Sequence, residues 1–207
     1  LVGGKSSRMA RAKAYLDFGN RPQWRAAGAA LQSVCQNVYY SVSPQLDPSL
    51  PPQIPLINDI FCSPIGPLGG IMSAFKADPE AAYFVVACDT PYFNAEAAQF
   101  LVSHRNPHKK ATAFVTDSKI EPLLAMYEPA IFADLALAWS KGYYCPRAIL
   151  SELDIERVEP DDERWTINVN HAHEIVQFTN HIPQKTVTVQ YYAALREQVG
   201  RNAETVF

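Results

Sequence analysis

An uninterrupted apolar run near the middle of the chain restricts the fold more than any other segment. Residues 82–87 read AYFVVA, and the run is followed at once by Cys88-Asp89-Thr90-Pro91. A half-exposed strand alternates apolar and polar residues, whereas a strand covered on both faces is apolar throughout, as in parallel sheets with helices on each side. Proline cannot continue a central strand, so Pro91 marks the turn that follows. The pattern predicts an internal strand of an α/β sheet.

Strand-like and helix-like segments alternate along the rest of the chain. Residues 37–43, 55–57, 111–115 and 123–127 have the composition of strands. Apolar spacing predicts helices at 22–35, 71–77 and 130–141, and Asn94 can cap a further helix that runs to Ser103. The helix at 130–141 is predicted to place Ile131, Leu135 and Trp139 on its inward face. The side chains of Tyr143 and Tyr144 are predicted to be packing residues. This order predicts a mostly parallel sheet sandwiched by helices, with ligands beyond the carboxyl ends of its strands.

The first residues of the chain carry a constraint on ligand chemistry. They read LVGGKSSRM, with a lysine four positions after the methionine. Adjacent glycines let the backbone approach a ligand closely, and successive N–H groups in such a turn form a concavity that binds anions. The side chains that could contact phosphate oxygens are Ser6, Arg8 and Lys13. The pattern predicts a nucleotide triphosphate site, with an ordinary glycine turn and solvated cations as the alternative.

Asp89 follows the apolar strand directly, so its carboxylate is expected at the mouth of the sheet on a rigid support. Mg²⁺ in phosphate-transfer sites is held by one or two carboxylates together with substrate phosphates, which favours a metal role for Asp89. The alternative is a cap for the next helix, but Asn94 is better placed for that. Asp59, just past the strand at 55–57, is a weaker candidate for nucleotide or metal contact, and an ordinary turn aspartate fits equally well.

Charge and composition restrict the partners. The chain has 207 residues, a formal net charge of −3 and no block of like charge, so neither a nucleic acid nor a membrane surface is predicted as a partner. Its four cysteines lack the paired spacing of a metal site and predict reduced thiols in a cytoplasmic protein. No apolar run approaches the ~20 residues of a membrane span. Because the glycine motif begins at the first residue, the earlier half of the first strand is expected to be missing from this sequence.

Five strings, GGKSSRM, GPLGG, ACDTP, EPLLAMY and NVN, occur in this order between Leu1 and about Glu174. Together they resemble molybdenum cofactor guanylyltransferase, a nucleotidyltransferase family with a Rossmann-like sheet. The resemblance implies transfer of GMP from GTP to a terminal phosphate of molybdopterin, with release of pyrophosphate. The implied nucleotide contacts are Leu1, Val2, Gly3, Gly4, Lys13, Asp59 and Asp89, the last through Mg²⁺. The implied pterin-side or pocket residues are Gly69, Gly70, Glu121, Pro122, Asn168 and Asn170.

The residues give this chemistry a physical basis. Nucleotidyl transfer needs an in-line nucleophile and neutralised phosphates, so positioning and charge dominate. Arg8, Lys13 and a magnesium ion on Asp89 are sufficient catalytic parts, and a phosphate nucleophile needs no general base because it is already an anion.

Two departures from the family pattern leave alternatives open. The family has glycine after Arg-Met and aspartate before the lysine, where this chain has Ala10 and Ala12. Alanine tolerates positive φ poorly, so this loop must bend differently or become ordered with ligand. The alternatives are a cytidylyltransferase acting on a related pterin and a non-catalytic nucleotide-binding scaffold.

The end of the chain has a different pattern. We divide the sequence into a nucleotidyltransferase domain at 1–181 and the incomplete start of a second domain at 182–207. Residues 185–192 alternate with the period of an amphipathic strand, 193–200 form a short helical segment, and a further strand begins at Glu204. This segment resembles the opening β-grasp hairpin of the small subunit of molybdopterin synthase, a ubiquitin-like sulfur carrier. The resemblance implies the synthase large subunit as a partner, and an extra hairpin on the first domain is the alternative.

Overall fold

The computed structural model describes residues 22–42, 55–61 and 65–169, together with the backbone of residues 187–190 and 203–206. The chain divides into two units, Leu1–His171 and Ala172–Phe207. The domain boundary predicted after residue 181 stays a prediction.

Helices and strands alternate through the described part of the first unit. The helices are α1 (Gln23–Gln32), α2 (Pro67–Ala77), α3 (Ala95–Ser103), α4 (Phe132–Ser140) and α5 (Pro146–Ser151), with 3₁₀ turns at Pro129–Ile131 and Glu163–Thr166. The strands are β1 (Tyr40–Val42), β2 (Leu56–Asn58), β3 (Tyr83–Val86), β4 (Ala111–Thr116), β5 (Lys119–Tyr127) and β6 (Glu156–Val158). Among the described residues, no helix has both the length and the apolar character that a membrane crossing requires.

The larger described sheet has the strand order β3-β5-β4-β6 and is mixed. Strand β5 runs antiparallel to β3 and to β4, while β4 and β6 are parallel. The prediction of mostly parallel strands therefore does not extend to this sheet. The reason is the turn at Asp117 and Ser118, whose φ angles of 50° and 61° are left-handed. A two-residue turn with positive φ at both positions joins antiparallel strands, so β4 and β5 form a hairpin.

Strands β1 and β2 form a separate parallel pair, in which Tyr40 lies opposite Leu56 and Val42 opposite Asn58. The pairing continues one step further, because the N–H of Asp59 donates to the carbonyl of Val42 at 2.9 Å. Asp59 thus lies at the carboxyl ends of two parallel strands, as the sequence predicts.

Helices cover both faces of the four-stranded sheet. Successive side chains of a strand point to opposite faces, and β5 makes use of both. Ala125 and Tyr127 pack in one core with residues of α2, α4 and α5, whereas Leu124 and Met126 pack in a second core with residues of α1 and α3. Full burial of a large apolar side chain stabilises the fold by about 1.5–3 kcal/mol. The predicted sandwich of helices around a sheet is confirmed.

Three side chains predicted to pack are exposed instead. Trp139 is 41% exposed, Tyr143 65% and Tyr144 45%. Ile131 and Leu135 are both fully buried, and Trp139 follows at the same four-residue spacing. However, α4 ends one residue later at Ser140, and the indole contacts the ring of a loop residue instead of the core. The prediction of packing was therefore wrong for the two tyrosines and for the inward indole.

The described strands of the second unit are β7 (Val187–Gln190) and β8 (Ala203–Val206), which pair antiparallel. Strand β7 lies within the strand predicted at 185–192, and β8 overlaps the strand predicted to begin at Glu204. The helical segment predicted at 193–200 lies outside the described residues.

An ion pair with a buried carboxylate joins the segment after α3 to the end of β5 and generates a prediction. Glu128 is 3% exposed, and Arg105 donates to its two carboxylate oxygens at 2.7 and 2.8 Å. Arg105→Ala should lower the free energy of unfolding by about 2 kcal/mol, because it leaves a buried carboxylate without its charged donor. Urea unfolding measures the change.

The matched control removes an exposed ion pair. Lys109 lies 2.6 Å from Asp154, whose side chain is 78% exposed. Lys109→Ala should leave the unfolding midpoint nearly unchanged, since exposed pairs contribute little. Equal losses in the two variants would contradict the importance of the buried pair.

Candidate functional site

The predicted site residues fall into two groups. The structure describes Asp59, Gly69, Gly70, Asp89, Glu121, Pro122 and Asn168. Leu1, Val2, Gly3, Gly4, Ser6, Arg8, Lys13 and Asn170 lie outside the described residues. Their roles, and those of Ala10 and Ala12, stay predictions.

The loop after β3 holds Asp89 by hydrogen bonds on both sides. The N–H of Ala87 donates to the carbonyl of Leu123 at 3.0 Å, which extends the β3–β5 pairing past the last residue of β3. Thr90 is 1% exposed, and its hydroxyl donates back to the carbonyl of Ala87 at 3.0 Å. Asp89 stands between these two positions and is half-buried. The predicted position of Asp89, just beyond the carboxyl end of its strand, is confirmed.

A buried glutamine that sequence reasoning missed fixes this loop from the other side. The side-chain amide of Gln23, at the start of α1, donates to the carbonyl of Thr90 at 3.0 Å, and Gln23 is 2% exposed. A glutamine at a helix start gives no signal of a partner far along the sequence. The hydrogen bond satisfies a buried polar pair and ties α1 to the Asp89 loop.

Asn94 takes the capping role that was the alternative for Asp89. The N–H of Ala97 donates to the side-chain oxygen of Asn94 at 3.0 Å, which is the geometry of an N-cap. The predicted cap of α3 is confirmed, and Asp89 is not the residue that caps this helix.

Glu121 and Asp89 form the acidic part of the site. Glu121 lies near the start of β5, and its side chain is 16% exposed. Burial raises the pKa of the Glu121 carboxyl, and the negative charge of Asp89 raises it further, whereas Arg147 lowers it. The effect of Asp89 is smaller than that of Arg147, and a cation placed beside Glu121 and Asp89 would be favourable to both carboxylates.

Arg147 is a second residue that sequence reasoning missed. It lies on α5, donates from Nε to the carbonyl of Ile120 at 2.7 Å, and approaches Glu121 Oε2 at 3.3 Å. Arg147 follows Pro146 in the sequence, and nothing in that local pattern points to the start of β5. Its guanidinium orients Glu121 while half of the side chain remains exposed.

Asn168 is brought to the same loop through its neighbour. The N–H of Val169 donates to the carbonyl of Asp89 at 2.8 Å. Asn168 itself is exposed, and its side-chain amide donates to the carbonyl of Thr166 at 3.3 Å. Pro122, next to Glu121, is buried, and its carbonyl accepts the hydroxyl of Tyr127 at 2.8 Å. Asp89, Glu121, Pro122 and Asn168 therefore belong to one neighbourhood.

Asp59 and Gly69 form a tight contact of their own. A Cβ atom built on Gly69 would lie 2.5 Å from Asp59 Oδ2, so only glycine fits at this position of α2. Gly66, which precedes the helix, has a φ of +66° instead, so glycine there serves the backbone conformation. Gly70 is buried within α2. The GPLGG string thus seats α2 against the loop after β2.

The Asp59 loop is also held by hydrogen bonds. The N–H of Phe61 donates to Asp59 Oδ1 at 3.0 Å, and the N–H of Ile60 donates to the Ser73 hydroxyl oxygen at 3.1 Å. Ser73 in turn donates to the carbonyl of Gly69 at 2.7 Å. Asp59 therefore has a turn-forming role, and its contact with a nucleotide stays a prediction.

The donor set near Asp89 fits magnesium bound together with phosphates. Among the described residues, no group of three or more histidine, cysteine, aspartate or glutamate side chains could hold a metal ion by itself. Mg²⁺ needs few protein ligands when substrate phosphates supply the others, and it prefers carboxylate oxygens. Asp89, with Glu121 beside it, meets that requirement.

A cavity of about 700 Å³ lies elsewhere, between the β1–β2 pair and β3. Its lining includes Leu31, Val34, Ile71 and Val85, and none of Asp59, Asp89 and Glu121 belongs to it. The lining combines apolar side chains with Asp78 and Arg105, but it includes none of the loop carboxylates that could hold a magnesium ion against phosphates. We therefore place the candidate site at the loops that follow the strands and not in this cavity.

Comparison with known proteins shows the family of the chain. Residues 1–158 match the family described as the MobA-like NTP transferase domain. The molybdenum cofactor biosynthesis bifunctional protein of Synechocystis sp. is 27% identical over 180 residues, covering 86% of this chain and 52% of that protein. The chain thus spans about half the length of this relative.

Two solved structures show the fold. Molybdopterin-guanine dinucleotide biosynthesis protein A from Archaeoglobus fulgidus matches with a TM-score of 0.67 and 18% identity, over 86% of this chain and 94% of that one. The 2-C-methyl-D-erythritol 4-phosphate cytidylyltransferase from Thermus thermophilus matches with a TM-score of 0.59 and 14% identity, over 81% and 92%. The predicted nucleotidyltransferase fold is confirmed.

The electrostatics of Glu121 give a prediction. Arg147→Ala should raise the pKa of Glu121 further, because the positive charge that favours the carboxylate is removed. Arg147→Lys, which keeps the charge, should give a smaller rise. Carbon-detected NMR of the Glu121 carboxyl against pH measures both, and an unchanged pKa in the alanine variant would contradict the contact.

The raised pKa of Glu121 also determines how the stability loss in Arg147→Ala depends on pH. A carboxyl with a raised pKa binds its proton more tightly in the folded than in the unfolded state, so stability falls as pH rises through that range. The stability deficit of Arg147→Ala should therefore be smallest at acid pH and should grow as the pH rises through the pKa of Glu121.

Proposed function

Because this chain belongs to the MobA-like NTP transferase domain family, we propose that it transfers GMP from GTP to a terminal phosphate of molybdopterin and releases pyrophosphate. The observation that carries the proposal is the backbone pairing of Ala87 with Leu123, which starts the loop of Asp89 next to Glu121 and its partner Arg147. The name of the Synechocystis relative places that protein in molybdenum cofactor biosynthesis, which supports the choice of acceptor.

The proposed reaction is a phosphate exchange. An oxygen of the acceptor phosphate forms a bond to the α-phosphorus of GTP, and the bond from that phosphorus to the bridging oxygen of the β-phosphate breaks. Pyrophosphate leaves with the bonding electrons. The acceptor oxygen is already anionic, so no side chain has to remove a proton.

The protein's part is to position the phosphates and to neutralise their charge. Arg8, Lys13 and the N–H groups of the glycine loop would hold the triphosphate, with Leu1, Val2, Gly3, Gly4 and Ser6 in that loop. Asp89 would hold Mg²⁺ against the phosphates, and the ion would supply positive charge where negative charge accumulates. Glu121, which Arg147 orients, would lie on the other side of the magnesium position from Asp89.

The acceptor side of the proposal rests on the remaining residues. Gly69 and Gly70, which lie in α2, would shape the pocket for the acceptor. The residues that would face the pterin are Glu121, Pro122, Asn168 and Asn170. Pro122 follows Glu121 in β5, and Asn168 precedes Val169, whose N–H donates to the carbonyl of Asp89.

A second candidate activity is cytidylyl transfer to the same pterin. The fold supports this alternative, since a cytidylyltransferase from Thermus thermophilus shares the fold over most of both chains. Ala10 and Ala12, in the loop expected to meet the nucleotide, are a further reason. A non-catalytic nucleotide-binding scaffold is the third alternative.

We further propose that residues 182–207 begin a ubiquitin-like carrier domain that docks on the large subunit of molybdopterin synthase. The antiparallel pairing of β7 and β8 agrees with an opening hairpin. The strand composition of 185–192 supports the same proposal.

The experiment that tests the transferase proposal is calorimetric titration of the chain with GTP and with CTP, each with and without Mg²⁺. We expect magnesium-dependent, GTP-selective binding, followed by pyrophosphate release when molybdopterin is added. Selectivity for CTP would transfer the assignment to the cytidylyltransferase. Binding without turnover would favour the scaffold.

A substitution tests the residue at the mouth of the sheet. Asp89→Asn keeps the shape of the side chain and removes its charge, so magnesium-dependent turnover should fall by roughly 100-fold or more, as when one group that stabilises the transition state is lost. Asp161→Asn removes an exposed carboxylate and serves as the control. Full activity of the Asp89 variant would remove this residue from the mechanism.

A further inference from the structure

The connection between α4 and α5 exposes two aromatic rings side by side in the sequence. Residues 141–145 are all exposed, and within them Tyr143 is 65% and Tyr144 45% exposed. Large exposed apolar groups that cluster on a protein surface commonly mark a binding surface. Tyrosine rings are suited to that role because they are flat and lose little conformational entropy when they are fixed by a ligand.

The near end of this connection is attached to the loop that carries Asp59. The rings of Trp139 and Phe61 pack edge to face with centroids 5.4 Å apart. Phe61 is the residue whose N–H donates to the Asp59 carboxylate at 3.0 Å. One aromatic contact therefore links the last turn of α4 to a candidate site residue.

The far end of the connection is attached to the acidic neighbourhood. Pro146 begins α5 and is buried, and Arg147 donates to the carbonyl of Ile120 at 2.7 Å and approaches Glu121 at 3.3 Å. Glu121 in turn senses the charge of Asp89. The connection from Trp139 to Arg147 therefore runs from a contact with the Asp59 loop to a contact with Glu121.

The backbone between these ends is folded and not extended. Gly142 has a φ of +82°, and the N–H of Tyr143 donates to the carbonyl of Ala138 at 2.9 Å. The N–H of Gly142 also donates to the carbonyl of Trp139 at 3.0 Å. The two tyrosines are thus presented by a hydrogen-bonded turn beside Trp139.

We propose that Tyr143 and Tyr144 bind a planar bicyclic ring that carries a phosphate, by stacking on the face of that ring. The inference rests on the proposed function and assigns a recognition element to it. Guanine and pterin share the same 2-amino-4-oxopyrimidine ring, so the chemistry of stacking is common to both substrates. Exposed Lys141 precedes the tyrosines in the sequence and half-exposed Arg147 follows them, and their positive charges complement a phosphate group.

The structure offers an optical probe for this binding. The chain has three tryptophans, of which Trp24 is 6% and Trp165 3% exposed, whereas Trp139 is 41% exposed beside the tyrosine turn. A ring that stacks on Tyr143 or Tyr144 should quench the fluorescence of Trp139. Trp139→Phe should abolish most of that quenching.

The test titrates the full chain with GTP and, separately, with neopterin monophosphate, a stable pterin that carries a phosphomonoester. Tyr143→Ala combined with Tyr144→Ala should weaken the binding of one of the two probes by roughly tenfold, since stacking on a single aromatic ring contributes on that scale. The corresponding double phenylalanine variant should bind within about twofold of the wild type, because it retains both rings. The probe that loses affinity identifies the ring, guanine or pterin.

Two controls test whether the loss of affinity is specific to Tyr143 and Tyr144. Tyr39→Ala removes a tyrosine that is 50% exposed before β1, at the opposite strand end from Asp59, and should leave both affinities unchanged. Thermal unfolding of the tyrosine variants should match the wild type, because the rings that are removed are exposed.

Wild-type affinity for both probes in the double alanine variant would overturn the stacking role and leave the transferase proposal standing. Binding of neither probe by the wild type would overturn both. Equal weakening in the alanine and phenylalanine variants would also overturn the proposal, because stacking does not require the hydroxyl groups.

Discussion

Strand β5 pairs with β3 along one edge and with β4 along the other, and this double pairing determines where the candidate site can form. Its hydrogen bonds continue beyond β3, where Ala87 pairs with Leu123, so that the loop with Asp89 starts next to Glu121. The same strand separates two cores, because Leu124 and Met126 face one set of helices and Ala125 and Tyr127 the other. A change that displaced β5 would therefore disturb both cores and both carboxylates.

The polar contacts around the site fall into two kinds with different physical roles. Gln23 and Thr90 are almost fully buried, and their hydrogen bond fixes a loop without contributing charge. Arg147 is half-exposed and carries a charge, so it both orients Glu121 and shifts the balance between its protonated and ionised forms. The first kind of contact defines the geometry of the loop that carries Asp89, and the second adjusts the charge of Glu121 beside it.

The sequence predicted the features that depend on local chemistry. Asn94 was predicted as a cap from its own side chain, and the position of Asp89 followed from the apolar strand before it. The antiparallel course of β5 was missed because it depends on Asp117 and Ser118, neither of which is the glycine or asparagine that most often signals such a turn. Gln23 and Arg147 were missed because their partners lie far away in the chain, and no periodic pattern encodes a contact of that range.

The turn at Asp117 and Ser118 also has a consequence for the order in which the sheet can assemble. Closing a short loop costs little chain entropy, whereas β3 and β5 must bring together segments separated by α3 and β4. The β4–β5 hairpin is therefore the part of the sheet expected to form first, with β3 and β6 added to its two edges. On that route the start of β5 with Glu121 is in place before the loop with Asp89 arrives, and the acidic pair is completed only when β3 docks.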